Sequence, residues 1–267
     1  MTRIGAIFNP YTHTPDEFRD AVLAAESSGL PELWIWEDCF RQSAFATVGA
    51  ALAWTEALRI GIGIAPMPLR NVAATAMELA TVERLFPGRL LPGVGHGVLD
   101  WMGQVGARAE SPMTLLHEHT SAVRRLLDGE TVSVDASYVH LDAVALDWPP
   151  ERRPELLVGA RGPRTIRLAG EVADGVLLDT ITTPDVVGRA RGIVDEARAA
   201  SGRDGRARVY AYTPIDPTDD PAGLPDRLGD WAAELAEAGA DTVIFQGTDD
   251  HPDARPLIEA LTTQPEA

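Results

Sequence analysis

The chain has 267 residues, of which 45% are hydrophobic and 24% charged, and its formal net charge is −17. These proportions are typical of a soluble globular protein, and the length is that of one α/β barrel. The acidic excess argues against nucleic-acid and anionic-membrane partners, because such partners select basic surfaces. A single cysteine, Cys39, cannot form an internal disulfide. Together with an N-terminus that is predicted to be a strand and not a signal peptide, this favours a cytoplasmic protein. The basic residues are all arginine, which excludes lysine Schiff-base and Walker A chemistry.

In chain order, short apolar runs without polar alternation predict strands that are covered on both faces, as in a parallel sheet. Helical patterns follow each of them, and capping sequences begin helices at Thr14, Ser111 and Thr183. The eight predicted strands are Arg3–Phe8, Glu32–Trp36, Arg59–Ile64, Arg89–Gly95, Glu155–Gly159, Gly175–Leu178, Arg208–Tyr212 and Thr242–Phe245. The fold class is therefore predicted to be α/β, as a single (β/α)8 TIM barrel domain over residues 1–267. The long interval between strands four and five is predicted to hold a helix, Pro112 to Leu127, and an excursion hairpin that turns around Asp135 to Ser137.

Catalytic residues of such barrels lie at the carboxyl ends of the strands, and five of these ends carry polar or glycine-rich sequences. They are Trp36-Glu37-Asp38-Cys39, Gly61 to Pro66, Gly93 to Gly97, Gly159 to Gly162, and Asp179-Thr180. The fourth ends a strand, contains two glycines and precedes Pro163, which suits a first helical position. A helix that begins there would present free N–H groups, so this turn predicts a phosphate-bearing ligand.

Several of these patterns have a second interpretation. The spacing from Gly93 to Gly97 is G-x-G-x-G and not the dinucleotide fingerprint G-x-G-x-x-G, so it predicts either a tight turn or backbone against which a flat ligand lies. His96 at that turn is either catalytic or simply exposed. Asp38 either accepts a hydrogen bond from a ring nitrogen of a ligand or caps the helix that begins near Ser43. His117-Glu118-His119 is predicted to be a solvated helix face and no metal is expected, because zinc helices space their histidines four apart.

Four blocks of the sequence together resemble the luciferase-like flavin monooxygenase superfamily, over nearly the whole chain. The blocks are LWIWEDCF, TAMELATVERLFPGRLLPGVGHG, PELLVGARGPRTIRLAGEVADGVLLD and AELAEAGADTVIFQ. The closer resemblance is to its branch of coenzyme F420-dependent oxidoreductases, the methylenetetrahydromethanopterin reductase type. This resemblance implies a (β/α)8 barrel that moves a hydride between the deazaflavin F420 and a small organic substrate. FMN is the alternative cofactor.

The resemblance also implies the site residues. Asp38 would lie beside the ring and, with His96, is the candidate catalytic pair. The segment Ile62 to Ala65 would carry a non-prolyl cis peptide bond against the ring face. Arg161 and Arg164 would face the acidic tail of F420, unless they serve only surface ion pairs. The implied cofactor-binding residues are Asp38, Gly63, Ile64, Ala65, Gly95, His96, Gly97, Gly159, Ala160, Arg161, Gly162, Asp179 and Thr180.

Two residues depart from the pattern of family members that oxidise sugar phosphates. Cys39 stands where they carry a histidine, and Val98 where they carry a glutamate, so sugar-phosphate oxidation is not expected. Two alternatives stay open: an FMN-dependent monooxygenase of the same superfamily, and a flavin-binding protein without catalysis. Partners are expected to be a small-molecule substrate and, because family members are often dimers, a second copy of the chain. The residues do not identify the substrate.

Overall fold

The computed structural model describes residues 2–179 and 182–262, and within them eight parallel strands close into a barrel. In chain order the strands are β1 (Arg3–Ile7), β2 (Glu32–Ile35), β3 (Arg59–Pro66), β4 (Leu90–Gly95), β5 (Val132–Asp135), β6 (His140–Val144), β7 (Leu157–Ala160), β8 (Gly175–Leu178), β9 (Arg208–Pro214) and β10 (Thr242–Gln246). The barrel order is β1-β10-β9-β8-β7-β4-β3-β2, and β5 and β6 form a separate antiparallel hairpin. The predicted (β/α)8 barrel and its excursion hairpin are thus confirmed.

Helices surround the barrel and connect its strands. They are α1 (Pro15–Ser28), α2 (Ala44–Trp54), α3 (Val72–Leu85), α4 (Leu99–Gln104), α5 (Pro112–Leu127), α6 (Pro163–Val172), α7 (Pro184–Ala200), α8 (Leu224–Glu237) and α9 (Arg255–Thr262), with a 3-10 turn at Met67–Leu69. The predicted starts are confirmed: Glu17 accepts from the Thr14 N–H at 2.7 Å, and the Ser111 and Thr183 hydroxyls accept from backbone N–H groups one turn on. Within residues 2–179 and 182–262, no helix is long and apolar enough to span a membrane.

The core has two layers, because successive side chains of each strand point to opposite faces. The inner layer fills the barrel and the outer layer lies between the strands and the helices. The buried inner residues are Ile7, Trp34, Leu91, Leu157, Leu177, Tyr210, Tyr212 and Ile244. Along β3 the alternation places Ile64 against the inner layer and its neighbour Ala65 in the outer one. Ile64, and not Ala65, is therefore the β3 side chain that faces the interior of the barrel.

The His117-Glu118-His119 segment is not the solvated face that its spacing predicts. His119 is 2% exposed, and neither ring nitrogen meets a partner at hydrogen-bonding geometry within the described part of the chain. Glu118 accepts hydrogen bonds from the backbone N–H groups of Ser137, Tyr138 and Val139, so it holds the turn of the β5–β6 hairpin against α5. Only His117 is exposed. The spacing argument fails here because α5 packs on both the barrel side and the hairpin side.

Candidate active site

A cavity of about 740 Å³ opens at the carboxyl ends of the barrel strands, where the sequence predicts the site. It brings together most of the predicted residues, namely Asp38, Gly63, Ile64, Gly95, His96, Gly97, Gly159, Ala160, Arg161, Gly162 and Asp179. Ala65 is not among the lining residues, because its side chain points outward into the helix-facing layer and is 3% exposed. Thr180 lies outside the described residues. The remaining lining residues were not predicted as site residues: Tyr11, Trp36, Glu37, Pro66, Val98, Leu99, Trp101, Thr165, Tyr212 and Gln246.

The floor of the cavity is formed around a cis peptide bond between Gly63 and Ile64, within the segment where the resemblance places one. A Cβ atom on Gly63 would lie 1.6 Å from the Tyr212 hydroxyl oxygen, so no side chain fits at this position. The Tyr212 hydroxyl donates to the Gly63 carbonyl oxygen at 3.4 Å, and burial raises the pKa of this phenol well above its ordinary value. Tyr212 therefore stays protonated and supports the backbone of the floor from below.

Glycines around Ile64 make room for its side chain. A Cβ on Gly159 would lie 2.6 Å from Ile64 Cγ2, and one on Gly95 would lie 2.9 Å from Ile64 Cδ1. A Cβ on Gly93 would lie 2.4 Å from the Ile62 carbonyl oxygen. Gly93 and Gly95, which the sequence associates with a flat ligand, and Gly159, which belongs to the predicted phosphate turn, thus already have a packing role in the protein itself. Ile64 is the group that presents the resulting apolar surface to the cavity.

Asp38 lies half-buried in the cavity wall, and Tyr11 donates to its Oδ2 atom at 2.7 Å. Burial raises the pKa of the Asp38 carboxyl; the Tyr11 hydrogen bond and Arg161 oppose this effect, while Asp179 adds to it. Tyr11 is itself held between two groups: the Arg41 guanidinium lies 4.6 Å from its ring centre, and the Trp36 ring meets it edge-on at 6.3 Å. The Asp38 carboxylate is therefore oriented by the loop that follows β1.

The alternative role for Asp38, capping the helix near Ser43, belongs instead to its neighbour Glu37. The Glu37 Oε1 atom accepts from the Ala44 N–H at 3.1 Å, at the first residue of α2. Arg70 donates to both Glu37 oxygens at 2.5 Å, and Glu37 is 7% exposed. Glu37 thus fixes the start of α2 and leaves Asp38 free to face the cavity.

The wall formed by β7 and β8 carries the predicted phosphate turn. Gly162 is the N-cap of α6, and a Cβ added to it would meet nothing within 4 Å. Because Pro163 has no N–H and Ile166 N–H bonds to the Gly162 carbonyl, the free N–H groups of the first turn belong to Arg164 and Thr165. Donors of this kind at a helix N-terminus attract anions.

The two arginines of this turn differ in their surroundings. Arg161 lines the cavity and its Nε lies 3.0 Å from both carboxylate oxygens of Asp179, although its side chain is 72% exposed. Arg164 is exposed and does not line the cavity. A surface ion pair therefore describes Arg161 as the structure stands, and Arg161 is the arginine that an anion in the cavity would meet first.

His96 follows β4 at the cavity edge. Its Nδ1–H donates to the Gly97 carbonyl oxygen at 2.8 Å, which fixes the ring against its own turn and leaves Nε2 outside that hydrogen bond. Gly97 adopts a φ of +68°, which favours glycine at this position. His96 is half-buried and lines the cavity, so it is not simply an exposed turn residue. No group of His, Cys, Asp and Glu within the described residues is arranged to hold a metal ion.

Comparison with known proteins agrees with this geometry. The family model of the luciferase-like monooxygenases matches residues 1–257. The chain belongs to the luciferase-like monooxygenase family. A 5,10-methylenetetrahydromethanopterin reductase of Methanolobus tindarius is 29% identical over 195 residues, which are 72% of this chain and 59% of that protein. The chain thus spans less than two thirds of that family member's length.

Solved structures share the fold. The coenzyme F420-dependent tetrahydromethanopterin reductase of Methanopyrus kandleri superposes with a TM-score of 0.81 at 20% identity, covering 98% of this chain and 97% of that one. An F420-dependent secondary alcohol dehydrogenase in complex with an F420-acetone adduct gives a TM-score of 0.80 at 20% identity, with the same coverage of 98% and 97%. Both are barrels of the same size as this member of the luciferase-like family.

Proposed function

We propose that this protein is an oxidoreductase that binds the deazaflavin coenzyme F420 in the barrel-mouth cavity and reduces or oxidises a small organic substrate there. One observation carries the proposal: the cavity joins an apolar floor at Ile64, an oriented carboxylate at Asp38 and an open helix N-terminus at Gly162. A flat ring with a phosphate-bearing side chain needs these three features together. Two solved structures that share the fold are described as F420-dependent enzymes, and one of them, like the relative in Methanolobus tindarius, is a methanopterin-linked reductase; these likenesses support the choice of cofactor.

The residues present fit such a group. The floor at Ile64 and the adjacent glycine backbone would hold the ring by apolar contact, and Asp38 would accept a hydrogen bond from a ring N–H. The N–H groups of Arg164 and Thr165 at the start of α6, with Arg161, would bind the phosphate. When bound, the deazaflavin supplies or accepts the hydride.

The side chains of this protein would position the cofactor ring and the substrate and would transfer the proton that accompanies the hydride. Tyr11 holds the Asp38 carboxylate in one orientation and favours its ionised form, since it donates to Oδ2. The Gly97 carbonyl holds the His96 ring, so that Nε2 can give or take the proton that accompanies hydride transfer at a substrate oxygen or nitrogen. Trp36, Trp101 and Leu99 would exclude water from the ring and substrate.

Binding of the two candidate cofactors to the purified protein tests the proposal directly. We expect F420 to quench tryptophan fluorescence with saturation, because Trp36 and Trp101 line the cavity, and we expect FMN to bind more weakly. Arg161→Gln should weaken F420 binding by about tenfold, or about 1.4 kcal/mol. Arg167→Gln is the matched control, since Arg167 is an exposed arginine on α6 that pairs with Glu196. Tight FMN binding without F420 binding would favour the monooxygenase alternative and reject the proposal.

Turnover separates an enzyme from a binding protein of the same fold. With bound F420, Asp38→Asn should reduce hydride transfer more than it reduces F420 affinity, because the carboxylate acts on the ring. Asp100→Asn, at an aspartate that is 92% exposed outside the cavity, is the control. Absence of turnover with every substrate class in the wild-type protein, with F420 bound, would support the non-catalytic alternative.

A further inference from the structure

The cavity wall contributed by strands β1, β2 and β4 is apolar and partly exposed. Tyr11 is 43%, Val98 45% and Leu99 37% exposed, and the rings of Trp36 and Trp101 stand beside them. Side chains of this kind at the mouth of a cavity are unusual on a solvated surface and mark a site that an apolar partner covers.

The apolar wall and the phosphate-type turn follow different strands of the barrel. β1, β2, β3 and β4 are consecutive neighbours on one arc of the barrel, and β7, β8, β9 and β10 form the other arc. The residues of the apolar wall follow strands of the first arc, whereas Gly162 and Arg161 follow β7 on the second. Because β4 pairs with β7, a ligand held at the α6 N-terminus borders the Val98 end of the wall. β1, which precedes Tyr11, lies across the barrel from β7, so the Tyr11 side of the wall is left to a second molecule.

The ionisable groups of the cavity are already engaged within the protein. Glu37 is paired with Arg70, and Asp179 with Arg161. Asp38 accepts the Tyr11 hydroxyl and faces no cation at ion-pair distance among the described residues. Arg161 is the only arginine among the lining residues of the described chain, and it belongs to the phosphate side. An anionic substrate on the apolar wall would thus meet the Asp38 carboxylate and no cavity-lining cation of the described chain on that side, because the Arg41 guanidinium, 4.6 Å from the Tyr11 ring centre, does not line the cavity; this disfavours its binding.

From these observations we infer that the second ligand of the cavity, the substrate, is a neutral and predominantly apolar molecule that packs on Val98, Leu99, Trp101 and Tyr11. The inference rests on the proposed function, because it identifies the apolar wall as the substrate side of a cofactor site. It excludes substrates whose recognition depends on a phosphate or carboxylate group. It also disfavours ammonium compounds in the F420-bound protein, since Glu37 and Asp179 are paired with arginines and Asp38 is assigned to the Tyr11 hydroxyl and the ring N–H of the cofactor.

Three ligands that share one apolar cage and differ in charge test the inference: 1-adamantanol, adamantane-1-carboxylate and 1-adamantanamine. Each is titrated into the protein saturated with F420, and binding is followed by tryptophan fluorescence, with Trp101→Phe to locate the signal. We expect the alcohol to bind at least about tenfold more tightly than the carboxylate and the ammonium compound. Equal or tighter binding of either charged compound, or no binding of any of the three, overturns the inference.

A pair of equally exposed valines provides the matched variants. Val98 lines the cavity and Val105 does not, and both are 45% exposed. Val98→Arg should improve carboxylate binding by about tenfold and weaken alcohol binding, because it places a cation on the apolar wall. Val105→Arg should change neither. Leu99→Arg repeats the test if Val98→Arg does not fold, and equal effects of the variants at 98 and 105 would contradict the assignment of this wall.

The result also separates this inference from the proposed function. If F420 fails to bind while the alcohol still binds preferentially to the free protein, the proposed function is wrong, and the inference that the apolar wall binds a neutral ligand is supported. If F420 binds and the carboxylate is preferred, the substrate inference is wrong and the proposed function stands.

Discussion

The packing of Ile64 against Gly159 predicts that Gly159→Ala destabilises the wild-type protein but stabilises the Ile64→Ala variant. Gly159→Ala in the wild-type protein brings the new Cβ to 2.6 Å from Ile64 Cγ2, so that the Ile64 side chain must rotate or the strand must shift. Overpacking of this kind costs about 1–3 kcal/mol of unfolding free energy. Ile64→Ala removes that atom, and the nearest remaining atom of residue 64, its Cβ, is 3.7 Å away, which is ordinary contact.

In the Ile64→Ala background, Gly159→Ala should therefore no longer destabilise. It should stabilise by about 0.5–1 kcal/mol, because alanine in a strand loses less conformational freedom on folding than glycine does. The two substitutions are thus coupled by about 2–3 kcal/mol, within the range found for residues in direct contact.

Urea unfolding followed by tryptophan fluorescence and circular dichroism measures the four free energies of this cycle. Gly49→Ala is the control, since its Cβ would meet nothing within 4 Å and it lies in α2. It should stabilise by about 0.5–1 kcal/mol in both backgrounds. A coupling below about 0.5 kcal/mol between positions 64 and 159 would refute the packing role assigned to the glycine.

Three further changes act through titrating groups. Burial lowers the pKa of His119 to about 4, below its value of about 6.5 in an unfolded chain, so stability should fall by about 3 kcal/mol as the pH drops through this interval. His119→Leu should abolish that slope in urea unfolding, because leucine carries no titrating group. Burial raises the pKa of Asp174, but Arg153 and its neighbours outweigh burial and hold the pKa of this carboxyl below its ordinary value. Asp174→Asn should therefore lower the free energy of unfolding by about 3 kcal/mol at pH 7, and by progressively less below about pH 4. Tyr11→Phe should raise the pKa of Asp38 and move the acid limb of F420-dependent turnover to higher pH, whereas Tyr138→Phe should not move it.

The strands were predictable because each is an apolar run bounded by glycine, proline or charge. Gly175–Leu178 agrees to the residue, and the other barrel strands agree to within two residues at each end. β3 is longer than predicted, since it continues to Pro66 across a register shift between Ile62 and Ala65. A local sequence pattern carries no signal for such an irregularity, because it arises from pairing with β4.

The site was predictable wherever a strand end is polar or rich in glycine, and not elsewhere. Asp38, Gly95 and Gly159 stand at such ends, whereas Tyr11 follows β1 and Gln246 ends β10, outside the five strand ends that the sequence singles out. Trp101 lies on α4, in the long interval between barrel strands, where no periodic signal points inward. The assignment of one domain to residues 1–267, the homodimer and the cytoplasmic compartment stay predictions.

The turn from Gly159 to Gly162 illustrates why the pattern alone could not separate two functions. Its two glycines read alike in the sequence, yet Gly159 is enclosed by Ile64 while the space around Gly162 is open. The first glycine shapes the floor of the cavity through the protein's own packing, and the second exposes the N–H groups of α6. In the proposed site, anion binding would therefore rest on the helix end and Arg161, and the apolar floor is formed by Ile64. That division would place the phosphate of the proposed cofactor at the α6 N-terminus and its ring on Ile64 of β3, and it leaves the side chains of Tyr11, Val98, Leu99 and Trp101 for the substrate.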